Sequence, residues 1–386
     1  MPDSQDAWTL RTHESLATID AAAWDACAGD ENPFVSHAFL LALEESGSAT
    51  AETGWLGQHI AVEDASGQLL GCVPLYLKNH SYGEYVFDWG WADAFERAGG
   101  RYYPKLQASV PFTPVTGPRL LARPGPQQAR VRETLMAALL RVAELHKVSS
   151  LHLTFPTEPE WKAMGEAGYL QRQGLQYHWH NAGYEDFDAF LGALNARKRK
   201  AIKKERRAAQ ESGLTIRALR GAEITGDHWE AFYRFYLATI DKKWSQNYLT
   251  REFFHLLGER LGDKVLLISA EDGNRPVAAA LNLVGKERLY GRNWGCAADV
   301  RFLHFECCYY QAIDWAIGQG LKVVEAGAQG QHKVQRGYLP VATYSAHWIA
   351  DSGFRAAVAD FLRREQRAVD QEIEIVTDLG PFKRDS

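Results

Sequence analysis

Cysteine is scarce and unpatterned in this chain. The five cysteines (Cys27, Cys72, Cys296, Cys307 and Cys308) include no CxxC pair, and their odd number closes no disulfide framework. That excludes a stapled secreted scaffold and fits a reducing, cytoplasmic setting. Long apolar runs are missing as well. None approaches the ~20 residues that span a bilayer. The opening MPDSQDAWTLRTHES has no basic region followed by an apolar one, so no signal peptide is read there. An overall excess of positive charge is also absent. With 43 Lys+Arg against 48 Asp+Glu the net charge is −5, which excludes a general nucleic-acid coat and makes any affinity for polyanions a local matter.

What is present is ample material for burial. Hydrophobic residues make up 46% of 386 positions and aromatics 12%, so two domains are expected. The sequence also repeats itself. At an offset of 169, Gly168-Tyr169-Leu170 falls on Gly337-Tyr338-Leu339, and His178-Trp179 falls on His347-Trp348. A helical pattern over 130–146 leads to the apolar run LHLTF at 151–155. A second over 303–318 leads to KVVEA at 322–326, with Phe305, Cys308, Tyr309, Ala312, Ile313, Ala316 and Ile317 spaced as a buried stripe. Upstream, 59–77 and 266–284 each read as strand, Gly-containing turn, strand. The same unit therefore occurs twice, with first-domain residues 1–180, second-domain residues 181–350, and a charged C-terminal helix and tail over 351–386.

Positive charge is concentrated in one place. RKRKAIKKERR, residues 197–207, holds eight basic residues and one acid in eleven positions. Asp186 as a cap and Gly213 as a stop frame a helix over 187–212, with Phe187, Phe190, Leu191, Leu194, Ala201, Ile202, Ala208 and Ala209 on one face. Arg197, Arg199, Lys200, Lys203, Lys204, Arg206 and Arg207 take the rest. Solvated helix faces normally mix signs. An almost single-signed face reads either as a solvated helix surface or, since like charges repel, as a site neutralised by a polyanion, for which phosphates of RNA or of a diphosphate-bearing small molecule are the natural class.

Several stretches carry a family resemblance. They are NPFVSHAFLLALEES (32–46), RYYPKLQASVPFTPVTGPRLL (101–121), YHWHNAGYEDFDAFLGALNARKRKAIKKERR (177–207), YGRNWG (290–295), HFECCYYQAIDWAI (304–317) and EAGAQGQHKVQRGYLP (325–340). On these the chain resembles the FemAB-like proteins of Gram-negative bacteria, grouped with the Fem-type aminoacyltransferases in the GNAT superfamily. The resemblance implies an α/β (α+β) fold of two tandem GNAT-like domains, each a mixed, mostly antiparallel sheet flanked by helices. It also implies aminoacyl or acyl transfer to an amine. In Fem-type enzymes the donor is aminoacyl-tRNA and the acceptor a peptidoglycan precursor. No cofactor is implied, because the acyl donor is a co-substrate. Two alternatives stand beside this reading: an acyl-CoA-dependent N-acyltransferase, and a non-catalytic RNA- or precursor-binding protein. Against CoA, neither half carries the Gln/Arg-x-x-Gly-x-Gly/Ala turn whose amides hold a pyrophosphate. The first half has the proline-rich TGPRLLARPGPQQ there, and the second WGCAADVRFLHFE.

The resemblance places a cation near the donor carbonyl or phosphate within EAGAQGQHKVQRGYLP. Lys333 is the first candidate and Arg336 the second, with Glu325 or His332 to accept the amine proton and Gln329 close by to bind substrate. Tyr290, Arg292, Asn293 and Trp294, at a predicted strand end, read as shaping the acceptor pocket or as a packed turn. Cys308 reads as core, and Cys307 has no His/Asn partner pattern for a nucleophile. His178 and His180 share a strand face without a third metal ligand, so no metal is expected. Tyr82, Tyr85, Asp88, Trp89, Trp91, Tyr102, Tyr103 and Lys105 form an aromatic-rich segment that reads either as core or as a surface for a sugar or nucleotide.

Overall fold

The computed structural model describes residues 8–243, 246–327 and 330–383. The chain forms two compact units: residues 1–174 with 342–370, and residues 175–341 with 371–386. A single cut near residue 180 does not reproduce them. The strands Leu170–His180 and Leu339–Ile349, which end the two sequence repeats, each start in one unit and finish in the other. Among the described residues no helix is long and apolar enough to cross a membrane.

In the first unit, Trp55–Gly57, Leu75–Lys78, Lys105–Ala108, Ser150–Thr154 and residues 345–349 pair in that order. A separate four-stranded sheet holds Thr9–His13, His59–Glu63, Leu69–Val73 and Leu121–Ala122. Pro74, which lacks an amide donor, separates Leu69–Val73 from Leu75–Lys78. The helix Gln128–His146 packs Val131, Leu135, Leu139 and Val142 into the core, close to the expected span. The one parallel pair described here joins 105–108 to 150–154.

In the second unit the order is Thr215–Arg220, Val265–Asp272, Arg275–Val284, Arg288–Cys296, Val323–Glu325 and residues 178–180. Its parallel pair joins Arg288–Cys296 to Val323–Glu325. The two units thus share one plan, and His178-Trp179 and His347-Trp348 hold matching places beside the second strand of each parallel pair.

Two helices differ from the sequence expectation. The 187–212 helix is two, Phe187–Ala193 and Ala196–Gln210. Asn195 accepts a bond from the Lys198 amide at 3.0 Å and restarts the helix as an N-cap. Ala201 therefore faces solvent, while Ile202 and Ala209 carry the buried face. Around the cysteine pair, Glu306–Tyr310 is a π-helical turn. Its extra residue rotates the face, so Cys307 is buried and Cys308 and Phe305 are only half-buried, the reverse of a regular α phase for the two cysteines.

Candidate active site

The parallel pair of the second unit opens into a gap. Register runs only from Arg288 opposite Val323 to Tyr290 opposite Glu325, where the shorter strand stops. The longer strand continues to Cys296 and carries a bulge there. Leu281 faces Asn293 and Asn282 faces Gly291, so Arg292 is the extra residue. Gly291 permits the close approach at the gap's base, since a Cβ there would lie 3.0 Å from the Glu325 carbonyl oxygen. Tyr290 is buried, while Arg292, Asn293 and Trp294 are half-buried along the continuing strand.

Glu325 sits at the mouth of this gap and is fully buried. Arg288 Nη1 donates to its Oε1 at 3.0 Å, and Oε2 has no hydrogen-bond partner among the described residues. His178 Nε2 lies 3.8 Å from that free oxygen. Burial pushes the carboxyl up to about 7, against the pull of Arg288 and Arg292. His178 is held neutral by burial, with the charges of Arg288, His180 and Lys333 adding to the effect.

Lys333 is a second buried ionisable group here, 2% exposed, on the short helix Gln331–Arg336. Its Nζ donates to the Gly327 carbonyl at 2.9 Å, and among the described residues no carboxylate pairs with it. Burial lowers the amine to about 8. Its ammonium is thus kept from water with one carbonyl as its hydrogen-bond partner and no counter-ion among the described residues. Gly327, at φ 75°, supplies the turn that presents this carbonyl.

His332 and Arg336 belong to a neighbouring aromatic group. His332 Nε2 lies 2.9 Å from the Tyr309 hydroxyl, not against Glu325, and burial lowers its pKa. Trp294 packs edge-on against His304 at 5.4 Å, and His304 against Tyr309 at the same distance. The Arg336 guanidinium lies 3.4 Å above the Phe305 ring and donates to Glu205 at 2.9 Å. Gln329 lies outside the described residues.

That last ion pair joins the site to the basic helix. Glu205, the one acid of RKRKAIKKERR, points inward and also accepts from the Tyr310 hydroxyl. Arg206 turns inward too, bonding Glu306 and Asp314 and stacking on Phe187, so it is already neutralised. Arg197, Lys200, Lys203, Lys204 and Arg207 are exposed, and Lys198 and Arg199 half-exposed. Among the described residues only Lys203 of the five has a carboxylate partner, Asp188 at 3.1 Å, and that pair is itself open to solvent. The cationic face is real, and Arg206 is not part of it.

The sequence marks His178 by its repeat at His347 and its strand face with His180, not by its place beside Glu325, and it gives Arg288 no signal. His178 pairs in register with Glu325 across strands 147 positions apart. Arg288 was one of many surface-like arginines. Among the described residues no cluster of three or more metal-ligating side chains forms. Burial pushes the Cys307 thiol up, which removes it as a nucleophile at neutral pH.

The fold agrees with comparisons to known proteins. A model of the FemAB-like family, described as peptidoglycan biosynthesis/recognition, matches residues 15–384. The structure is similar to FemX at a TM-score of 0.55, with 10% identity over 92% of this chain and 100% of that one. It is also similar to L-PGS from Bacillus licheniformis at 0.52, with 11% identity over 88% and 98%. A search of the curated proteins finds no match. With a match over nearly its whole length, the chain belongs to the FemAB-like family.

Proposed function

We propose that the second unit transfers an aminoacyl group from aminoacyl-tRNA to an amine on a peptidoglycan-precursor-like acceptor. The observation that carries this reading is Lys333, a buried amine without a carboxylate beside the opened strand pair. In the proposed step the acceptor amine attacks the ester carbonyl and a C–N bond forms. The carbonyl oxygen takes the negative charge, and the Lys333 ammonium stabilises it in a site of low dielectric. Glu325, as carboxylate, takes the amine proton on its free Oε2. Collapse of the intermediate breaks the C–O bond, and the ribose hydroxyl leaves with that proton. No covalent enzyme intermediate is needed, and positioning by the gap and its flanking rings supplies much of the rest.

The exposed cations of Ala196–Gln210 support a tRNA donor, because five charges lie on one helix face, Lys203 alone of them paired with a carboxylate among the described residues, and such a face matches a row of phosphates. The test is binding of labelled tRNA at low and moderate salt, followed by transfer from charged tRNA to an amine. Salt-sensitive binding together with transfer supports the reading. No binding at low salt contradicts a tRNA donor and transfers the case to acyl-CoA, which a ligand-induced rise in melting temperature would then report.

A further inference from the structure

The aromatic-rich segment of the first unit is built inside out. Over residues 81–89, SYGEYVFDW, the polar Ser81, Glu84 and Asp88 are buried, while Tyr82, Tyr85, Phe87 and Trp89 are 42, 38, 51 and 48% exposed. Folding normally does the opposite, since burying carboxylates costs free energy and exposing rings forgoes it. Contiguous exposed apolar surface on a folded protein marks a place of interaction.

The fold fixes this inversion from below. Lys105 Nζ donates to Ser81 Oγ at 2.8 Å, Glu84 Oε2 at 2.7 Å and Asp88 Oδ2 at 2.5 Å. Lys78 lies 3.4 Å above the Trp55 ring and donates to the Tyr82 carbonyl at 3.1 Å. Arg172 donates to the Phe87 carbonyl at 2.7 Å. Gly83, at φ 79°, lies so close to Phe112 that a Cβ would fall 2.5 Å from that ring. The segment is therefore pinned, and it need not lose conformational freedom when a ligand arrives.

We infer that Tyr82, Tyr85, Phe87 and Trp89 form a stacking surface for the rings of a neutral saccharide. Phe87 and Trp89 lie 5.1 Å apart between ring centroids, and Tyr82 and Trp89 5.9 Å, so three of the rings make one continuous strip. Neighbouring exposed rings, tilted against one another, with hydroxyl and indole N–H groups at their edges suit a ligand with apolar ring faces and polar rims. Charge selects against the other polar classes. The segment's two carboxylates are buried against two lysines, and it holds no Lys or Arg, so nothing on it recruits phosphate. The choice of a saccharide over another ring rests on the peptidoglycan-like acceptor proposed above.

The experiment is calorimetric titration of the full chain with the β-1,4 tetramer of N-acetylglucosamine, using wild type, Phe87→Ser and Trp89→Ser. Both positions are on the surface, so the fold should tolerate either change. Binding by wild type, weakened at least about tenfold in each variant, is the expected result. Absence of binding, or binding unchanged in both variants, overturns the inference. So does variant-sensitive binding to phosphatidylcholine vesicles without saccharide binding, which would assign the strip to a bilayer surface. Transfer to a sugar-free amine is measured in parallel. Transfer without saccharide binding sinks this inference alone, and saccharide binding without transfer sinks the transfer reading alone.

Discussion

Each unit buries a lysine beside its parallel strand pair, and the two lysines are opposites. In the first unit Lys105 is surrounded by Ser81, Glu84 and Asp88. Burial alone would lower its pKa, but the two carboxylates outweigh burial and raise it. In the second unit Lys333 has one carbonyl, and burial lowers it to about 8. The strand ends differ in the same sense. In the first unit Gln107 bonds Thr154 at 2.9 Å, and the fully buried Arg119 bonds the Thr154, Val115 and Gly117 carbonyls, so the chain's own loop seals the end of the pair. In the second unit the pair parts at Glu325 and a bulge holds it apart. One plan, used twice, gives a satisfied end that holds a surface in place and an unsatisfied end suited to chemistry.

Replacing the two lysines separates these roles. Lys333→Met is expected to lower single-turnover transfer by about 100- to 1,000-fold, the scale of a lost oxyanion donor. Its melting temperature should hold or rise, because a buried charge without a counter-ion is removed. Lys105→Met should do the reverse. It leaves Glu84 and Asp88 buried without their shared cation and should cost about 3–5 kcal/mol in a denaturant titration. Adding Glu84→Gln and Asp88→Asn to Lys105→Met should recover most of that loss. If Lys105→Met left stability unchanged, the contrast would fail.

The pH dependence sharpens the same point. Glu325 must be ionised to accept a proton, so kcat/KM should rise with pH through about 7. Lys333 must be charged, so it should fall above about 8. Stability has its own signs. Glu325 is raised from 4.5, so the fold favours its neutral form, and its contribution is full below about 4.5 and lost as pH rises through about 7. Lys333 is lowered from 10.5, so the unfolded chain binds the extra proton, and stability should climb between pH 8 and 10.5. Lys333→Met should flatten that climb in a series of thermal melts.

Smaller effects are expected from the basic helix. Changing Arg197, Lys200, Lys203 and Lys204 to Gln should make the salt dependence of tRNA binding shallower by about one log unit per contacting cation removed, with stability unchanged. Arg206→Gln should instead lower stability and leave the slope alone, because Arg206 is bound to Glu306 and Asp314. Glu205→Gln should reduce kcat/KM only several-fold, by loosening Arg336 over Phe305.

Much of the fold was legible because it rests on periodicity and on repetition. The helix read over 130–146 is Gln128–His146, and the final helix is Ser352–Asp378. The His-Trp match marked strands that occupy equivalent places. What escaped depends on local chemistry or on distance. A single capping Asn195 splits the basic helix, and one π-turn exchanges Cys307 with Cys308. Glu325 and Lys333 stood out as a polar segment after a strand. The burial of Glu325, and the arrival of Arg288 and His178 beside it, follow from pairing across the sheet, which no spacing in the sequence encodes. The aromatic-rich stretch from Tyr82 to Lys105 reads as core or binding surface, and the structure divides it: Asp88, Trp91, Tyr102 and Lys105 are buried, while Tyr82, Tyr85, Phe87 and Trp89 are exposed.

Lys333→Met tests the central claim most directly. Aminoacyl transfer from charged tRNA to an amine acceptor is followed in a single turnover near pH 7.5, beside a thermal melt of the same sample. Loss of about 100-fold or more with an unchanged melt is the expected result. Full transfer by a protein that melts like wild type would contradict it and take the chemistry away from Lys333.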